Sequence, residues 1–191
     1  MTDADRSRLL ARLDVERQDL SLHPSLARVG DIVRYIDRIG TTSEIVYSSL
    51  QAGELDAAAA AEVAYFNDIG HSFEWKAYAH DAPGDLFDRL RRLGFDIGDE
   101  EAVVVAEVDR VLAAEDPGHV VRPVTDASGF DDYMQVRMAA FPDTSPELAD
   151  SLRAQLRDSP DSLGLCVAYV DGVPVGSARS GFHPRSWFCG L

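Results

Sequence analysis

The stretch from Leu163 to Phe182 constrains this chain more than any other. Leu163–Val170 and Val173–Phe182 are two apolar, β-branched runs separated by Asp171-Gly172 alone. A two-residue Asp-Gly connection suits a type I′ turn, which needs positive φ at both central residues and whose twist matches that of paired strands. The spacing therefore predicts an antiparallel hairpin, and with it a sheet at the centre of this part of the chain.

Helix and strand signals alternate around that hairpin. Val120–Val124 reads as a short strand, Ala127–Ala140 as a helix, and Pro146–Arg157 as a second helix opened by Ser145-Pro146. Pro184 breaks the run after the hairpin, and Ser186–Leu191 reads as the start of another strand. Upstream, Thr2–Leu20 has a Thr2 N-cap, acidic Asp3 and Asp5 in its first turn, and a stripe of Leu9, Leu10, Leu13 and Leu20. Val29–Ile36 and Glu44–Leu50 read as paired strands. Glu54–Ile69 reads as a helix with Val63, Phe66 and Ile69 inward and Gly70 as its stop. Ser72–His80 alternates as a strand does, with Phe73 and Trp75 on one face and Glu74 and Lys76 on the other, where they read as a surface ion pair. Pro83–Leu93 carries Leu86, Leu90 and Leu93 at helical spacing, and Ala102–Val108 is a continuous apolar run expected to be a strand covered on both faces. Val111–His119, with Glu115-Asp116-Pro117-Gly118, reads as a linker. The expected organisation is a unit over 1–112, a linker over 113–119 and a second unit over 120–191.

Composition narrows the function. The chain has 191 residues, 46% of them apolar, and a net charge of −15. So acidic a chain does not suit a nucleic-acid binder, which needs a basic face for phosphate. No apolar run reaches the ~20 residues of a membrane span, and Met1–Leu20 is too charged for a signal peptide, so a cytoplasmic setting is expected. The negative field draws cationic small molecules, although such a charge more commonly serves solubility. Cys166 and Cys189 cannot make a disulfide framework, and His23, His71, His80, His119 and His183 lie at no metal-ligand spacing, so no metal is expected. Gly-x-Ser-x-Gly, phosphate-loop and dinucleotide fingerprints are absent from the sequence.

Two stretches carry a resemblance. Val121-Arg122-Pro123-Val124 followed by two helices, then Leu165-Cys166-Val167-Ala168-Tyr169-Val170-Asp171-Gly172-Val173-Pro174-Val175-Gly176, resembles the first half of a GNAT acyltransferase. Ala57–Ile69, Phe73–His80, Pro83–Leu93, Leu93-Gly94-Phe95 and the expected strand Ala102–Val108 are similar to the other half of the same fold. The resemblance implies an α/β chain with a mixed sheet: a degenerate N-terminal GNAT-like unit and the first half of a second. It implies transfer of an acyl group from acetyl-CoA or another acyl-CoA to a small amine.

The expected site follows from the resemblance. Backbone groups of Phe188, Cys189 and Gly190 would face the thioester; a thiolate role for Cys189 has no base or helix dipole beside it in the sequence. Met138 and Phe141 either line the acceptor site or belong to the core. His183 precedes the last strand and would lie near the substrate cleft. The family holds pyrophosphate on the amides of a Gln/Arg-x-x-Gly-x-Gly/Ala loop opening a helix. The first unit instead has Gln51-Ala52-Gly53-Glu54-Leu55-Asp56, with glycine one position out and two carboxylates that repel phosphate. Its usual acidic tyrosine falls on Leu90, so this unit is expected to be non-catalytic. In the second unit the loop would follow the strand near Ser186, and the sequence reaches Leu191 first. The chain is therefore expected to be incomplete or inactive alone, as a piece of a longer acyltransferase or as a truncation with another role. The other reading is a non-catalytic binding or assembly module that keeps the sheet. The apolar Ser186–Leu191 strand is expected to be covered by docking against the first unit, within one chain or across a homodimer.

Overall fold

The computed structural model describes residues 2–38, 41–112, 118, 120–142, 144 and 146–188. The chain divides into two units, Met1–Asp99 and Glu100–Leu191. The division falls ahead of the expected linker 113–119, of which Gly118 alone is among the described residues.

The first unit opens with helix α1 (Asp3–Arg17). Thr2 accepts the Asp5 N–H at 3.2 Å, and the Asp5 carboxylate accepts the Thr2 N–H at 3.0 Å, closing a capping box. The Thr2 hydroxyl, donating to the same carboxylate at 2.7 Å, and then the Thr2 N–H hold the Asp5 carboxyl below its ordinary pKa. The expected leucine stripe is only half-buried, and the residues α1 buries are Glu16 and Arg17. Strands β1 (Leu26–Val29), β2 (Ile32–Tyr35) and β3 (Thr42–Ser48) form an antiparallel meander. The expected single strand Val29–Ile36 is in fact a hairpin: Gly30 takes a φ of 57°, and Val29 pairs with Ile32 across Gly30-Asp31. Helix α2 (Leu55–Asp68) then crosses to β4 (Ser72–Trp75), which lies parallel to β3. β4 is shorter than the alternation predicted, because its pairing with β3 ends at Lys76, whose N–H reaches the Ile45 carbonyl at 2.9 Å. Helix α3 (Leu86–Arg92) follows, and Gly94 stops it with a φ of 92°.

The core of this unit joins Ile32 and Ile45 from the sheet, Leu55, Ala59 and Phe66 from α2, and Leu86 and Leu90 from α3. α2 buries Leu55, Ala59, Glu62 and Phe66, so its inward face is rotated from the Val63, Phe66 and Ile69 stripe. Glu62 is inside because Arg34 of β2 meets its carboxylate with two hydrogen bonds, at 2.5 and 2.8 Å, under the Tyr65 ring.

In the second unit the expected strand Ala102–Val108 does not form. Residues 101–107 are neither helix nor strand, Val104 is 87% exposed, and Val108 begins the short helix α4 (Val108–Leu112). β-branched residues favour a strand only when a neighbour takes up the N–H and C=O groups, and none of the described strands pairs with this run. Strand β5 (Val120–Pro123), helices α5 (Ala127–Ala140) and α6 (Pro146–Asp158), and strands β6 (Leu163–Val170) and β7 (Val173–Gly181) follow in the expected order. The sheet order is β5-β6-β7, antiparallel throughout. The hairpin turn has φ values of 51° at Asp171 and 79° at Gly172, as a type I′ turn requires. Phe130, Tyr133 and Met134 of α5 and Leu152 of α6 pack with Leu163, Leu165 and Val167 of β6. Both helices thus cover one sheet face.

The molecule combines one mixed sheet and one antiparallel sheet with helices, an α+β class. Ser186–Phe188 is not a strand: Ser186 Oγ accepts the Phe188 N–H at 3.0 Å and curls the chain locally. Among the described residues no helix is long and apolar enough to cross a membrane.

Candidate functional site

The acceptor-side residues expected from the sequence lie in the second unit. Met138 and Phe141 stand at the C-terminal end of α5 and are 54% and 59% exposed, so neither belongs to the core. The Phe141 carbonyl accepts the Thr144 N–H at 3.0 Å and the Thr144 hydroxyl at 2.7 Å, which turns the chain out of the helix. The Arg137 guanidinium lies over the Phe141 ring, 5.2 Å from its centroid.

His183 lines a separate open cavity of ≈ 550 Å³ with Asp158, Asp161, Ser162 and Phe182. Phe182 is fixed by its N–H to the Ser162 carbonyl at 2.9 Å and by its ring against Gly164, where a Cβ would come within 3.1 Å of the ring edge. His183 Nδ1 accepts the Arg185 N–H at 3.3 Å. The Asp161 carboxylate and the Phe182 ring suit a small cation, whereas Asp158 is already paired with Arg157 at 2.9 Å.

Of the backbone groups expected to face a thioester, Cys189 and Gly190 lie outside the described residues. The Phe188 N–H is already held by Ser186, so it is not presented as a free donor. Cys166 is half-buried in β6 and unpaired, as a small apolar residue of the sheet.

In the first unit, the chain's own side chains take up backbone groups at the start of α2 and beside the ends of β3 and β4. At the start of α2 the Gln51 N–H is taken by the Glu54 carboxylate at 3.0 Å. Arg89 of α3 holds the Asp56 carboxylate at 2.5 Å and also caps the Ala52 carbonyl. Leu90, on which the resemblance would set a tyrosine, is buried in the core. The second place is the gap where the parallel strands part, since β3 runs on to Ser48 after β4 ends. Buried Arg17 fills it. Its Nε donates to the Val46 carbonyl at 2.8 Å and its Nη2 to the Lys76 carbonyl at 3.4 Å. The same guanidinium grips both oxygens of Asp81, at 2.8 and 2.7 Å, meets Asp14 at 2.9 Å, and stacks on Tyr78 at 4.1 Å. Burial works against the Arg17 charge, but Asp81 and then Asp14 more than offset it and hold its pKa above the ordinary value.

Sequence reasoning missed this cluster. Asp14, His80 and Asp81 bring three possible ligand atoms within 4.8 Å of one another, a grouping hidden by their separation along the chain. Arg17 is the cation that already holds it. Also missed was an apolar groove of ≈ 390 Å³ along α2, where Val63 and Leu93, expected inside, face outward beside Phe95. Glu74 and Lys76 do pair, at 2.8 Å, on the surface.

No family model matches this chain, and no curated protein matches it. Among solved structures it is similar to that of a functionally unknown conserved protein from Staphylococcus epidermidis ATCC 12228. The two share 14% identity with a TM-score of 0.55, over 91% of this chain and 72% of that one. The likeness is one of fold.

Proposed function

We propose that this chain is a GNAT-type N-acyltransferase-like protein whose second unit binds a small amine acceptor for acyl-CoA, and whose first unit has no catalytic part. One observation carries the reading. β5, α5, α6, β6 and β7 follow in the order the resemblance implies, with both helices on one face of an antiparallel sheet, and Met138, Phe141 and His183 lie outside its core.

In such a transfer the amine nitrogen attacks the thioester carbonyl, the C–S bond breaks, and the ammonium proton passes through a base to the departing thiolate. The net charge of −15 draws the ammonium, and Asp161 adds to that attraction at the His183 cavity, where Asp158 is held by Arg157. Nothing among the described residues supplies the base.

A second reading, a non-catalytic binding or assembly module, is favoured by the first unit. There Glu54, Asp56 with Arg89, and Arg17 occupy the helix start and the strand gap. NMR titration with phenethylamine separates the two. The acceptor reading expects saturable shifts at the Met138 methyl group and at His183; silence at both leaves the binding-module reading in its place.

A further inference from the structure

Among the described residues one polar side-chain atom is buried without a hydrogen-bond partner: the Nε of Arg137. Native proteins leave few such atoms, and each asks for a missing acceptor. The isolation is unusual in a chain with 33 acidic residues against 18 basic ones. The fully buried guanidiniums find carboxylates, Arg17 in Asp81 and Arg34 in Glu62, and so does the exposed Arg153 in Asp131. Arg137 has only the Phe141 ring beneath it, with Met138 exposed alongside.

A planar guanidinium resting on an aromatic ring presents its remaining N–H groups as a fork, whose geometry matches a carboxylate. The field of the whole molecule argues against a bare anion, because a net charge of −15 repels one. A zwitterion escapes that repulsion. Its carboxylate meets the fork, its ammonium is favoured by the surrounding field, and an apolar side chain covers Met138 and the exposed part of Phe141.

We infer that Arg137, Met138 and Phe141 form a subsite for a free amino acid with an apolar side chain, Arg137 binding its carboxylate. This rests on the reading of the second unit as the acceptor side of an acyl transfer, and it names the class of acceptor. Arg137 lies in the last turn of α5 and its guanidinium is brought over the Phe141 ring at the helix C-cap, 5.2 Å from the centroid, with Met138 one residue on and exposed.

The test follows the Arg137 Nε–H resonance in the whole chain while phenylalanine, phenylacetate and phenethylamine are added in turn. Phenylalanine is expected to move it with saturation, phenylacetate to move it more weakly, and phenethylamine to leave it in place while still shifting Met138. Arg137→Gln is expected to weaken phenylalanine about tenfold or more and to leave phenethylamine unchanged, with Arg137→Lys between them because an ammonium cannot fork. Equal effects of phenylalanine and phenethylamine on the Nε–H overturn the carboxylate subsite and leave the amine reading standing. If none of the three ligands shifts any residue of the second unit, both fall. The wild-type comparison needs no variant to fold.

Discussion

Glu62 and Arg34 are the residues at which this chain commits most to a single interior arrangement, since both are buried and each satisfies the other. Removing one partner leaves a charge in the core. Glu62→Ala is expected to cost about 3–5 kcal/mol in urea unfolding, whereas replacing both by Met and Leu costs little. Glu44 offers a test with the opposite sign. Burial raises its carboxyl pKa above the ordinary 4.5, with Lys76 opposing and Glu74 and Asp37 adding to the rise. The native state therefore binds that proton more tightly than the unfolded state. Its contribution is fully present below pH 4.5 and is lost as pH rises through the elevated value. Glu44→Gln is then expected to melt higher than the parent at pH 7 and level with it below pH 4.5; a constant offset would contradict this. The sequence made the Thr2 N-cap legible, because a cap is a matter of local spacing, while the return bond to Asp5 that closes the box came from the structure. It could not show that α2 turns Glu62 inward and Val63 outward, because that phase is set by Arg34, far away along the chain.

At the level of elements, the 163–181 hairpin was the most legible because its turn chemistry and its strand pattern agree. Gly172 is the residue to test. Alanine there meets nothing within 4 Å, so its cost is conformational, arising from a φ of 79°. Gly172→Ala is expected to destabilise by about 1–2 kcal/mol, while Gly176→Ala, whose Cβ would sit an ordinary 3.5 Å from that of Ala168, stays near neutral. The failures at this scale have a common cause. Val29–Ile36 looked continuous because Gly30-Asp31 was read as part of a strand and not as its turn. Ala102–Val108 looked like a strand because propensity says nothing about a partner. Hydrogen exchange checks that correction directly: the amides of Val103, Val104 and Val105 are expected to exchange without protection, and slow exchange would mean that a strand pairs with them.

For the molecule as a whole, the sequence led to an α+β chain of two units, and the structure has one mixed and one antiparallel sheet. The acceptor-side residues were partly legible. Met138, Phe141 and His183 were named from the resemblance and lie outside the core of the second unit, whereas Arg17 and the unpartnered Arg137 needed coordinates, since neither burial nor a missing acceptor leaves a periodic trace. On the function proposed above, the first unit's helix start and strand gap, closed by its own charges, hold no acyl carrier. Calorimetric titration with acetyl-CoA, with the backbone amides of residues 51–56 followed by NMR, tests it most directly. The account expects a Kd weaker than about 1 mM and no movement of those amides; micromolar affinity with shifts at Gln51–Asp56 would contradict it.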